Sequence, residues 1–572
     1  NTTGASNVAI GYQTMLKNTT HGANTAVGFR AMCCNAGLRN VAIGFASLQL
    51  NEGGDDNTAL GTCASHSNTS GDNNTAVGTD ALCGNTTGSS NVAVGMNSLD
   101  ANTSANNNAA LGYNALTANT TANDNAAFGA YALAANTTGT PNTAFGKSAL
   151  EKNTTAADNV AIGAFSLRCN VTGASNTAVG SSALNVNLGS NNTAVGKHAL
   201  VSNTSGANNT AVGRLALDAN TTAAENTAMG NSALGANTTG GSNSAFGSSA
   251  LVANTTGANN TAVGLQALAA NTEGGSNVAV GYNSMLTNTT GANNVAMGVL
   301  ALEMNTTGDA NTAIGREALE ANTTADNNTA VGHKALEANT TGANNVGIGR
   351  LALDANTTAS DNTAVGNNSL SGATTGGANT AVGSGALAAV TTGTNNTAVG
   401  DSAGDAITTG DNNVLIGKGT CADAVGTDNV IALGENVVSI NNNFTFGNGG
   451  NDSRIAFGAT SISAPSDLRL KEEINDSTAG LDFINDLRPV TYKWRQEKDI
   501  PEEMRTHVAG STKRYNNDKV NHGFIAQEVK EAIDKHPELK DGFDMWSEES
   551  TLDGRQRVAE DALVPMLVKA IQ

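Results

Sequence analysis

One short phrase constrains this chain more than any other feature. In the form N-[TV]-A-[apolar]-G, or close to it, the phrase begins at Asn7, Asn24, Asn40 and Asn57 and continues to Asn396 and Asn413. It occurs 25 times, in steps of 17 residues except for two steps of 16, from Asn24 to Asn40 and from Asn176 to Asn192. A fixed short period is the signature of a solenoid, because each unit can bury its apolar residues only by stacking on the next.

The unit reads N-T-A-V-G-x-x-A-L-x-x-N-T-T-G-x-x. T-A-V and A-L are too short for helices, and N-T-T-G is turn chemistry. Each unit is therefore expected to form one coil of two short strands and two turns. Coils stacked at the strand separation of roughly 4.8 Å would build a rod on the order of 120 Å. The fourth slot is always apolar but varies in size (Val27, Leu60, Phe128, Met229, Ile314), as expected of a core position. The third is almost always Ala, with Gly347 and Leu415 as exceptions, and suggests close approach across the coil or from a neighbouring chain. The fifth is Gly in every copy, which predicts a backbone with positive φ or no room for a Cβ. Slots six, seven, ten and eleven vary freely, carry charges such as Glu317, Glu320, Arg350 and Asp354, and are expected to face solvent. So thin a roll gains by packing against copies of itself, so a homotrimer is expected, with the Ala slot as its contact face.

Composition narrows the function. Aromatic residues are 3% and charged residues 14%, too few for three or four ordinary globular cores, while the strict period argues against disorder. A net charge of −20 argues against nucleic acid as a partner, and no apolar run is long enough for a transmembrane helix. The cysteines at 33, 34, 63, 83, 169 and 421 form no C-x-x-C pair and read as scattered free thiols, so neither metal nor cofactor is expected. The N-x-[ST] triplets at Asn18, Asn119 and Asn271 are generated by the period itself and read as structural, not as glycan acceptors. Thr alternates with Val in the second slot, which disfavours an ice-binding face, and Gly- and Asp-rich calcium nonapeptides are absent. No catalytic cluster recurs, so the shaft is not expected to be an enzyme. The chain begins inside a repeat and without Met, so the expectation is a fragment whose N-terminal attachment segment lies out of view.

The repeat resembles the head repeats of YadA-type trimeric adhesins, whose N-S-V-A-I-G phrase matches NVAIG at 7–11 and 159–163. The resemblance covers roughly 1–420 and implies a left-handed parallel β-roll, trimerised about a central axis.

Beyond Gly417 the repeat decays through NVIALG (429–434), FTFG (444–447) and IAFG (455–458), a connector over 421–465. From 466 to 572 the composition changes: both tryptophans, Trp494 and Trp546, lie there, and a separate small α+β domain is expected. A helix is expected over 477–487, with Leu481, Ile484 and Leu487 on one face and a stop before Pro489. PVTYKW (489–494) and HGFIAQ (522–527) read as strands, EVKEAI as a helix, and ALVPMLVKAIQ as an amphipathic terminal helix, cut short where the chain stops.

The ordered set SDLRLKEEI, LDFINDLRPVTYKW and HGFIAQEV resembles the C-terminal intramolecular chaperone of endosialidase-type phage tailspikes and tail fibres. That family trimerises its chain, guides folding of a β-rich shaft and then cuts itself off. By motif position the resemblance implies cleavage at Ser466 and Asp467, a Ser466–Lys471 dyad, a role for His522 in cleavage, and Gln527 and Glu528 as supporting residues. A Lys can act as base to a Ser hydroxyl if burial leaves it neutral. Attack of Ser466 on the Pro465 carbonyl would cut before Ser466, whereas attack on its own carbonyl would close a strained four-membered ring. A cut after Ser466 requires another chain's hydroxyl, the Asp467 carboxylate or an activated water.

The expected function is thus a homotrimeric, extracellular tail-fibre or tailspike shaft on a virion. It attaches to a host-surface receptor and carries a single-turnover, self-cleaving chaperone. A bacterial surface adhesin with the same chaperone is the alternative, for which a C-terminal membrane β-barrel would be expected. A glycan depolymerase would require recurrent carboxylates in a groove.

Overall fold

A computed structural model describes the chain except residues 1–2, 451, 460–479, 503, 505, 540–544, 549–555 and 572. The chain divides into two compact units, Asn1–Pro465 and Ser466–Gln572.

The first unit is a parallel β-solenoid. Each of the 25 coils contributes one short strand, from Val8–Ile10 to Val414–Ile416, and consecutive strands pair in parallel without slippage. Thr261, Ala262 and Val263, for example, lie opposite Val278, Ala279 and Val280. Among the described residues the expected second strand forms only in the last coil, where Cys421–Ala422 pairs in parallel with Val438–Ser439; in the coils before it slots seven and nine both adopt left-handed backbone, as at Gln266 (φ 56°) and Leu268 (φ 55°). That curls the A-L segment into a turn, which stacks on the next coil through bonds such as Leu268 N–H to the Ser284 carbonyl, 2.9 Å. Left-handed backbone costs a non-glycine residue roughly 1–2 kcal/mol, so the stacked bonds and the buried Leu must hold it there.

The invariant Gly is required on both counts. Gly264 has φ 136°, and a Cβ on it would lie 2.5 Å from the Gly281 carbonyl oxygen of the next coil.

The interior is thin. Ala262, Ala267 and Leu268, from slots three, eight and nine, are fully buried, as are their counterparts along the column away from its two end coils. The third slot must be small because ninth-slot Leu side chains fill the lumen opposite it. A Cβ on Gly347 would already stand 3.3 Å from Leu336 Cγ. Leu415, the large exception, is fully buried because Gly404 leaves the ninth slot vacant. A Cβ on Gly404 would meet Leu415 Cδ1 at 2.8 Å.

The fourth slot is not core: Leu60 is 44% exposed, Met229 42% and Ile314 38%. Nor can the Ala slot be a contact face between chains, since Ala26, Ala262 and their equivalents lie inside their own coil. Glu317, expected in solvent, is buried between Arg316 and Lys334.

Two buried columns of Asn join the coils. In the first slot, Asn260 N–H donates to Asn243 Oδ1 (2.9 Å) and Asn260 Nδ2 to the Gly274 carbonyl (2.8 Å). In the twelfth, Asn271 Nδ2 donates to Asn254 Oδ1 (2.7 Å) and to the same Gly274 carbonyl (2.9 Å). Asn18, Asn119 and Asn271 have no exposed surface, so these sequon residues serve the ladder and no glycosyl transfer can reach them in the folded coil.

The sheet ends as the repeats decay. Ile431–Gly434 and Asn443–Gly447 continue the parallel ladder, and Ser453–Ala456 turns back antiparallel on the last of these.

In the second unit we label helices α1 (Leu481–Asp486), α2 (Ala526–Lys535) and α3 (Val564–Ile571). Strand Val490–Tyr492 pairs antiparallel with Asn521–Gly523, and Trp546–Glu548 with Gln556–Val558. The core is Phe483, Val529, Ala532, Ile533, Leu539, Met545 and Leu563. Phe483 rather than Leu481 anchors α1, since Leu481 is 56% exposed. The HGFIAQ run is a strand only through Gly523, because α2 begins at Ala526.

Candidate functional site

Ser466, Asp467 and Lys471 lie outside the described residues. The other three site residues cluster around the first hairpin and helix of the second unit. His522 sits mid-strand, opposite Thr491, and is exposed. It lines a shallow concavity with Pro489, Val490, Thr491, Gly523 and Phe524.

Gln527 and Glu528 occupy the first turn of α2, just after that strand. Glu528 is clamped by Arg488, whose Nε donates to Oε2 at 2.8 Å and whose Nη2 reaches Oε1. This fork-shaped pair holds the Glu528 carboxyl below the usual glutamate range, through the hydrogen bond first and the charge second. Glu528 therefore ties α2 to the Leu487–Pro489 corner, a positioning contact that leaves it poorly suited to take a proton. Gln527 borders a pocket with Trp494, Tyr515 and Ile525, where the Trp494 ring meets Tyr492 and Tyr515 edge-on at 5.2 and 5.3 Å. Among the described residues no hydrogen bond joins His522, Gln527 and Glu528.

Arg488 was missed from sequence, although it stands inside the quoted motif LDFINDLRPVTYKW. Only its spatial pairing with Glu528, 40 positions away, marks it.

The solenoid presents a second candidate surface. Slots two and four share the outer face of each strand, so fourth-slot side chains such as Phe145 (57% exposed), Ile162 and Ile416 form a continuous exposed apolar column. Soluble single chains rarely leave so extended an apolar surface in water. Among the described residues, no helix is long and apolar enough to cross a membrane.

Residues 466–537 match the peptidase family model described as chaperone of endosialidase. A segment similar to the chaperone of endosialidase thus follows, in sequence, a β-solenoid with a seventeen-residue repeat. No curated protein and no solved structure matches it.

Proposed function

We propose that the protein is the shaft of a homotrimeric phage tail fibre or tailspike that reaches a host surface, with a C-terminal chaperone that sets chain register and then releases itself. The observation that carries this reading is the family match over 466–537, directly after the shaft. Every coil is nearly the same as its neighbour, so three chains can misalign by any multiple of 17 residues. Long-range parallel pairing is also slow to form. A domain that associates first removes that ambiguity. Its loss afterwards leaves the shaft kinetically trapped, with no template for refolding. The exposed fourth-slot column supplies the apolar face on which three shafts would meet.

In the cleavage step Ser466 is the nucleophile, Lys471 its base, and His522 a second polar group on the strand that leads into α2. Intact mass under denaturing conditions tests it, comparing wild type with Ser466→Ala. Wild type is expected to give two fragments and the variant one. A new N-terminus at Ser466 assigns attack to the Pro465 carbonyl, with water then hydrolysing the ester formed on the Ser466 hydroxyl; one at Asp467 assigns it to the Ser466 carbonyl and passes the nucleophile's role to another chain's hydroxyl, the Asp467 carboxylate or an activated water. Uncut chain in both proteins would overturn self-cleavage.

A further inference from the structure

Along the shaft the outer face of each strand presents slots two and four. Slot two is Thr, Val, Ala or Ser in all 25 coils, and never larger. The last strands break that rule. Ile431 and Phe444 take slot two, Leu433 and Phe446 take slot four, and Ile455 lies opposite Phe444 on the antiparallel strand that ends the sheet. The Phe444 and Phe446 ring centroids are 5.3 Å apart. The offset between neighbouring coils also falls, to 13 residues, as in the bond from Asp428 N–H to Asn441 Oδ1.

The two sides of this end differ. Inside, Arg454 lies opposite the buried Thr445, and its guanidinium donates to the Thr445 hydroxyl and the Val438 carbonyl, both at 3.4 Å. Outside, Ile431, Leu433, Phe444, Ile455 and Phe457 line an open concavity of about 310 Å³ with no polar side chain in its lining. Phe457 is 49% exposed. The inner side thus finds its partners within the chain, whereas among the described residues the outer side stays open to solvent.

We propose that this end face is a register lock: it packs against the same face of two further copies of the chain and fixes their shafts coil against coil. The inference rests on the three-chain reading above and deepens it. The occupant follows from spacing. The face continues the exposed fourth-slot column, which repeats at every coil, roughly 4.8 Å apart. A partner that covers such a column along its length must repeat at the same spacing, and a second copy of this chain does. Within the repeats, a slip of one coil sets Thr or Val against Thr or Val and costs little. At the end, the same slip sets Phe444 and Phe446 against Ile431 and Leu433 and leaves the last apolar rung of one copy in water. Strands that do not repeat are what tell one register from another. The lock precedes Ser466, so a cut there leaves it on the shaft. In sequence the stretch 421–465 reads as a connector, because the growth of slot two shows only once the 13-residue step is paired.

The test uses the full chain carrying Val382→Cys, a slot-four reporter at a side chain 37% exposed. Mild oxidation and peptide mass identify disulfides joining position 382 of one copy to position 382 of another, apart from any made by the native cysteines. Light scattering gives the number of copies. The reporter protein should show three copies and those links. Adding Ile431→Thr and Phe444→Thr supplies the residue most coils carry in slot two; it should leave the circular dichroism unchanged and lose the links. Adding Val278→Thr and Val295→Thr in mid-shaft should keep them. Links that survive the end substitutions in a trimer, or that fall equally with the mid-shaft ones, overturn the lock and leave the three-chain reading standing. A trimeric reporter protein without links places the seam elsewhere and also overturns the lock. A single-chain mass for the reporter protein removes the three-chain reading itself, and the lock with it.

Discussion

Ser65 occupies a ninth slot, where most coils place Leu, and its hydroxyl is buried with no hydrogen-bond partner. Replacing it by Leu removes an unsatisfied polar group and restores the column between Leu48 and Leu82. Ser65→Leu should stabilise the shaft by about 1–3 kcal/mol, read as a higher urea midpoint; an unchanged or lower midpoint would count against the column. The converse applies at Gly264, where Ala would combine a left-handed φ with a clash on the next carbonyl. Gly264→Ala should cost about 3 kcal/mol in the same assay. The need for glycine was legible in sequence because one residue type recurs without exception. Which of slots three and four faces inward was not. Both are apolar in a three-residue strand, and the choice is made by the ninth-slot Leu across the lumen, as the Leu415–Gly404 exchange shows.

A coil adds constraints that single residues lack. Asp100, Asp218, Glu320 and Asp354 all occupy tenth slots, and burial, first among the causes, raises each above its ordinary range. A carboxyl with a raised folded value binds its proton more tightly when folded. It therefore costs stability at neutral pH, and the cost is relieved as pH falls through the raised values toward about 4. Asp56 and Glu528 run the other way: hydrogen bonds from Arg39 and Arg488 lower them, so their contribution is lost only in stronger acid. The urea midpoint should thus rise as the pH falls from neutrality through the raised values. Changing the four tenth-slot acids to their amides should flatten that rise, and a rise that persisted would assign it elsewhere. The coil itself was readable from its period, and so was the structural role of the sequon Asn residues. The missing second strand was not, because left-handed Leu is a conformation that propensity argues against. In the second unit the helix and strand order was legible. The Arg488–Glu528 clamp was not, since it depends on a fold bringing together positions 40 apart.

For the whole molecule the decisive feature is the exposed fourth-slot column. On an isolated solenoid Ile314→Asp would be a surface change at a side chain 38% exposed, worth within about 0.5 kcal/mol. At a three-chain interface the same change places charges together on an apolar seam. Ile314→Asp should therefore weaken assembly while leaving the circular dichroism of the coil intact, and wild-type assembly in the variant would remove the column from the interface. On the function proposed above, the shaft is an obligate three-chain assembly ordered by its chaperone. The native mass of the purified protein, measured by light scattering at several concentrations, tests it most directly. Three copies at every concentration is the predicted result. A monodisperse single chain with intact solenoid circular dichroism would contradict it.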